Sequence, residues 1–97
     1  MEMKNSNGQS VIRELVVLNK TGLHARPAAA FVRTANSFRS EITVTKGEDS
    51  VNGKSIMGLM TLAASRGTIL IVEAIGDDAE NAVDAIQTLM ESKFNEI

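Results

Sequence analysis

The residue in this chain best suited to covalent chemistry is its single histidine, His24, which is followed two positions later by Arg26 and three later by Pro27. Free imidazole is largely neutral at pH 7, and a ring nitrogen can then attack phosphorus directly. An arginine close by can add charge-assisted hydrogen bonds to phosphate oxygens. Pro27 lacks an N–H and is tolerated only in the first turn of a helix, so it marks a helix start within about a residue or two. His24 therefore stands at a helix N-terminus, where unpaired N–H groups and the helix dipole favour anions. Gly22 allows a left-handed turn before the ring is presented. The segment reads as a nucleophile set inside an anion site. On spacing alone, a solvated histidine near a helix cap and an ordinary surface arginine fit the same residues.

The surrounding pattern defines what must hold this segment. Residues 11–18 are β-branched and aliphatic and predict a strand, ended by the turn-prone Asn19-Lys20-Thr21-Gly22. Between positions 27 and 38, Ala28, Phe31, Val32, Ala35 and Phe38 recur at three- and four-residue spacing, leaving Arg33 and Asn36 for water. Glu41-Ile42-Thr43-Val44-Thr45 alternates with period two, and the turn Lys46-Gly47-Glu48-Asp49 before Val51 predicts a hairpin with a short third strand. Ser55 opens a second helix over residues 56–64, apolar around most of its circumference. Residues 68–74 read as a buried fourth strand. Asp77-x-x-Glu80 has the shape of a capping box before Ala79, Ala82, Val83, Ile86, Leu89 and Met90. The order βαββαβα places the chain in the α+β class, with helices stacked on one face of a mainly antiparallel sheet. Residues 1–10 are polar and predict a mobile arm before a single domain at 11–97.

Composition narrows the chemistry. Ninety-seven residues, 43% of them hydrophobic, suit one compact core with any chemistry near the surface. A net charge of -2 and three phenylalanines without Trp or Tyr argue against nucleic-acid binding. The absence of cysteine excludes disulfides and thiolate metal sites, and a lone histidine makes zinc a poor ligand, so neither a metal nor a cofactor is expected. No apolar run approaches the roughly 18 residues that insertion into a bilayer requires, and MEMKNSNGQS lacks the apolar centre of a signal peptide, so the expected location is cytoplasmic. Acidic residues crowd the last quarter, Glu96 among them, while Lys20, Arg26 and Lys54 lie near the motifs. Such a locally basic face suits an anionic ligand, although an ordinary mixed surface has the same composition.

Thr21-Gly22-Leu23-His24-Ala25-Arg26-Pro27-Ala28, followed about thirty residues later by Asn52-Gly53-Lys54-Ser55-Ile56-Met57-Gly58-Leu59-Met60, closely resembles the histidine-containing phosphocarrier (HPr) family of the bacterial phosphotransferase system. The resemblance runs from about Val11 to the end. It implies an open-faced β-sandwich, a four-stranded antiparallel sheet covered on one face by three helices. It also implies a carrier, not itself an enzyme, that takes a phosphoryl group from enzyme I and gives it to enzyme IIA domains. His24 falls on the family's phosphorylated histidine, modified at Nδ1, and Arg26 on the arginine beside it. Relatives that have lost transfer competence have another residue at the active position, so His24 favours a working carrier.

Ser55 is a good N-cap residue and needs no further role. The resemblance adds one, because in some members a dedicated ATP-dependent HPr kinase/phosphorylase modifies the matching serine. About two negative charges there would alter docking more than folding. The apolar excess of the second helix fits either a helix buried on all sides or one with a face kept for partners. Ile56, Met57 and Met60 are the expected contacts, methionine being able to repack against unlike partners, with Leu59 and Leu62 the members most suited to the core. Ala25, Pro27 and Ala29 complete the expected docking surface, and a monomer suits a carrier that must detach and dock again. Two other readings share these features. One is a regulatory HPr-like partner outside sugar uptake, since the segment from Arg66-Gly67 to Phe94-Asn95-Glu96 looks like the nitrogen-related branch. The other is a ferredoxin-like module binding a small ligand.

Overall fold

The computed structural model describes residues 9–96. Strand β1 (Ser10–Val16) leads through the histidine loop into helix α1 (Ala25–Asn36), and strands β2 (Glu41–Lys46) and β3 (Asp49–Asn52) form a hairpin. Helix α2 (Ile56–Thr61), strand β4 (Ile69–Ile75), helix α3 (Ala79–Glu91) and a final turn at Lys93–Asn95 follow. The strands pair antiparallel in the order β1-β4-β2-β3, and the helices lie on one face, which is the open-faced sandwich expected. The hairpin turns through Gly47 at φ +61, with Lys46 paired to Asp49.

Period-two alternation sorts the strands into two faces. Leu15, Ile42, Val44, Leu70, Val72 and Ala74 point into the core, where they meet Ala28, Phe31, Val32 and Ala35 of α1 and Ala82, Val83, Ile86 and Met90 of α3. Each large aliphatic or aromatic side chain buried this way contributes about 1.5–3 kcal/mol. Phe38 lies beyond the end of α1 and is half-buried against the same cluster. Arg13, on the inner side of the edge strand, reaches α3 instead and bonds Asp84 at 2.6 Å, Gln87 at 2.9 Å and Glu80 at 3.3 Å.

Three local features differ from expectation. Helix α2 stops at Thr61 and does not run on to Ala64. Ala63 turns left-handed at φ +50, and the Lys46 ammonium donates to the Leu62 carbonyl at 2.9 Å, so these residues cap and leave the helix. The Asp77-x-x-Glu80 capping box does not form. Asp78 is the N-cap, yet its carboxylate turns across to the start of β2, accepting the N–H groups of Arg39 and Ser40 at 2.9 and 3.0 Å and the Ser40 hydroxyl. Those bonds, the Ser40 hydroxyl foremost, hold the Asp78 carboxyl below the usual range. Finally, of the arm expected at residues 1–10, the first eight lie outside the described residues, whereas Ser10 already belongs to β1 and the Gln9 carbonyl accepts the Gly76 N–H at 2.9 Å.

Candidate functional site

The loop before α1 is pinned to the segment that follows α2. Gly22 sits at φ +75 with so little room that a Cβ would lie 2.5 Å from the Ala64 carbonyl oxygen, so only glycine fits. Buried Leu23 donates its N–H to that carbonyl at 2.8 Å. His24 is then the N-cap of α1, with extended backbone (φ -82, ψ -168), and its carbonyl accepts the Ala28 N–H at 2.9 Å. The helix begins two residues before Pro27, within the expected margin. The His24 side chain makes no cap bond to this terminus, so the Ala25 and Arg26 N–H groups have no partner among the described residues and lie open to an outside anion.

The ring is oriented by Glu96, a residue whose place in the site no local sequence pattern signals. His24 Nε2 lies 3.1 Å from Glu96 Oε2, while Glu96 Oε1 accepts from the Asn19 amide at 3.0 Å and the Thr21 hydroxyl at 3.2 Å. The Asn19 amide first, then Thr21 and His24, hold the Glu96 carboxyl below its ordinary range. An ionised carboxylate can only accept, so in the neutral ring this contact selects the tautomer with the proton on Nε2 and the lone pair on Nδ1. Asn19 is itself buried and also donates to the Gly22 carbonyl at 2.7 Å, which joins the glycine turn, the carboxylate and the ring in one network. Glu96 reaches this position because Lys93, Phe94 and Asn95 all adopt left-handed backbone, φ +59, +57 and +59. That geometry is unfavourable for non-glycine residues, and burial of the Phe94 side chain against the core offsets it. The only forewarning in the sequence was the acidic crowding of the last quarter, which does not single out Glu96.

His24 and Glu96 border an open cavity of about 810 Å³ whose rim also holds Lys20, Arg26, Arg66 and Lys93. Four cations and one carboxylate around a half-exposed imidazole make a positive basin on a protein of net charge -2. Lys20 and Arg26 were expected near the histidine; Arg66 and Lys93, distant in sequence, were not. Lys54 is absent from the rim because its ammonium donates to the Phe38 carbonyl at 2.8 Å, beyond the far end of α1.

Ser55 occupies the N-cap of α2, and its Oγ accepts the Gly58 N–H at 3.0 Å. Helix α2 resolves into two sides. Leu59 and Leu62 are buried, while Ile56, Met57 and Met60 are 41%, 78% and 42% exposed. Met60 borders a shallow groove with His24, Leu23 and Ala63, which makes the exposed apolar side of α2 contiguous with the histidine. Ala25 is exposed and Ala29 half-buried beside it. Pro27 departs from expectation: it is fully buried, its ring packed into the first turn, and it offers no surface to a partner.

Comparison with known proteins agrees with this arrangement. Residues 11–92 match the family model described as the PTS HPr component phosphorylation site. The phosphocarrier protein HPr of Neisseria meningitidis serogroup A is 46% identical over 84 residues, covering 87% of this chain and 94% of that protein. That of Xylella fastidiosa strain 9a5c is 51% identical over 84 residues, covering 86% and 93%. The crystal structure of HPr from Thermoanaerobacter tengcongensis superposes with a TM-score of 0.86 at 50% identity, over 90% of this chain and 98% of that one. A sheet of this order, a histidine at an uncapped helix start and relatives of this closeness together establish that the chain belongs to the HPr family of phosphocarrier proteins of the phosphotransferase system.

Proposed function

We propose that this chain relays a phosphoryl group on Nδ1 of His24, received from enzyme I and delivered to an enzyme IIA domain. The observation that supports it most directly is the Glu96 carboxylate on Nε2, which leaves Nδ1 as the nucleophilic nitrogen at the helix mouth. In the forward step the Nδ1 lone pair forms the bond to phosphorus as the bond to the donor breaks, its electron pair leaving with the donor. Because Nε2 keeps its proton, the ring becomes cationic, and Glu96 neutralises it. The phosphoryl oxygens meet the free first-turn N–H groups and Arg26. A cationic ring is a good leaving group, so the phosphoryl group is held without being trapped.

Docking uses the exposed Ala25, Ile56, Met57 and Met60 together with half-buried Ala29, an apolar surface beside the histidine. The remaining transferase machinery belongs to the partners, and the relay works in the cytoplasm as a monomer. Phosphorylation of Ser55 by an ATP-dependent kinase regulates it by placing charge on that surface. No helix among the described residues is long and apolar enough to cross a membrane. The test is intact-mass analysis after incubation with phosphoenolpyruvate and a catalytic amount of a matched enzyme I. One acid-labile phosphate on the parent and none on His24→Ala is the expected result. Labelling of both proteins, or of neither, would overturn the assignment.

A further inference from the structure

The described residues expose large apolar side chains on α2 and, separately, on the sheet face that none of the described helices covers. The alternation that buries Leu15, Leu70, Val72 and Ala74 turns Ile12, Val16, Ile69, Ile71 and Ile75 outward, where they remain 37% to 63% exposed. Among the described residues, the polar side chains on the same face include Glu14, Glu41 and Glu73 but no lysine or arginine. Register fixes their arrangement. Ile75 lies between Ser10 and Glu41, Glu73 between Ile12 and Thr43, and Ile71 between Glu14 and Thr45. The three carboxylates therefore run diagonally across β2, β4 and β1 at intervals of about 8 Å, given the usual strand and residue spacings. None of them pairs with a cation among the described residues.

An apolar sheet face is normally covered by a second layer. A second copy of this chain stacked here would set three carboxylates against three, which opposes self-association. We propose that the uncovered sheet face docks a basic amphipathic helix of a partner protein, its apolar stripe on the isoleucines and its lysines or arginines over Glu14, Glu41 and Glu73. Charge complementarity selects this occupant, because a partner must both cover the aliphatics and neutralise an acidic diagonal. The face lies across the sheet from α1 and α2, so it can be occupied while His24 exchanges its phosphoryl group.

A Leu/Lys amphipathic helical peptide, with a Leu/Glu peptide of the same pattern as control, serves as the probe in an NMR titration of the whole chain. Amide shifts at Ile12, Glu14, Ile71 and Glu73, absent at Met57 and Met60, are expected with the Leu/Lys peptide alone. Glu14→Gln with Glu73→Gln, a change too mild to unfold the sheet, should weaken that binding by roughly tenfold and reduce its salt dependence, with His24 labelling unaltered. Shifts confined to α2 or to the acidic side of α3, equal binding of both peptides, or unchanged affinity in the double variant would overturn the proposal. So would a concentration-dependent dimer in sedimentation whose interface maps to this face.

Discussion

Helices α1 and α2 both begin with a polar residue in extended backbone, yet the two starts are chemically opposite. Ser55 closes its own helix, Oγ accepting the Gly58 N–H, so its side chain satisfies a backbone donor. His24 makes no such bond; its ring is drawn away by Glu96, and the donors of the first turn stay available. A self-capped terminus is a structural element, whereas an uncapped one beside an oriented nucleophile is a place for an anion to come and go. What separates them is an outside carboxylate that the rest of the chain delivers to one and not the other.

The largest effect should come from removing the nucleophile. His24→Ala is expected to abolish acid-labile phosphorylation with the fold intact, since the ring is half-exposed and outside the core; circular dichroism beside the mass measurement checks both halves. Glu96→Gln sharpens the comparison, because the amide can still accept from Nε2 but cannot neutralise the ring. Transfer from enzyme I should slow by roughly tenfold, and single-turnover kinetics matching the parent would remove Glu96 from the mechanism.

Ser55→Asp addresses the other start. The new charge stands beside Ile56 and Met57, on the proposed docking surface, and should raise the apparent KM for this protein as enzyme I substrate several-fold, by roughly three- to tenfold. Equal kinetics would separate that surface from phosphoryl acceptance. Ser55→Ala, in contrast, should leave transfer unchanged and cost about 0.5–2 kcal/mol of stability by uncapping α2, measurable by urea unfolding.

How much of this was legible in the sequence follows from how local each feature is. The elements, the core faces of α1 and α3 and the position of His24 rest on spacing within a dozen residues, and the order of elements is enough for helices on one face of an antiparallel sheet, while the sandwich itself is what the family resemblance implies. The end of α2 was not legible, because Lys46 and Leu23 reach Leu62 and Ala64 from other parts of the chain. The capping box expected at Asp77 fails for the same reason: Asp78 takes the N-cap position and its carboxylate turns to Ser40, 38 positions away. Within the site, Arg26 follows His24 closely enough to be read, whereas Arg66 and Glu96 arrive only through tertiary folding, Glu96 through three successive left-handed residues of which only Asn95 is of a type that favours that backbone. The burial of Pro27 likewise depends on how the first turn meets the core.

The smallest effect distinguishes the two helix starts by acid. Glu96 has a carboxyl depressed in the folded state, so the stability it lends is complete above the ordinary carboxylate range of about pH 4 and is lost as pH falls through its lowered value. Protonation removes the negative charge facing Nε2 and weakens the bonds to the ring and to the Asn19 and Thr21 donors together. The Ser55 hydroxyl does not titrate over that range and should keep the Gly58 N–H throughout. An NMR titration from pH 6 toward acid should therefore move the side-chain amide of Asn19 and the signals of Thr21 below about pH 4 while Gly58 holds its position until the fold as a whole gives way. Simultaneous movement of Gly58 and Thr21 would mean that the two helix starts are not independent, and that Glu96 supports the fold at large and not the histidine loop in particular.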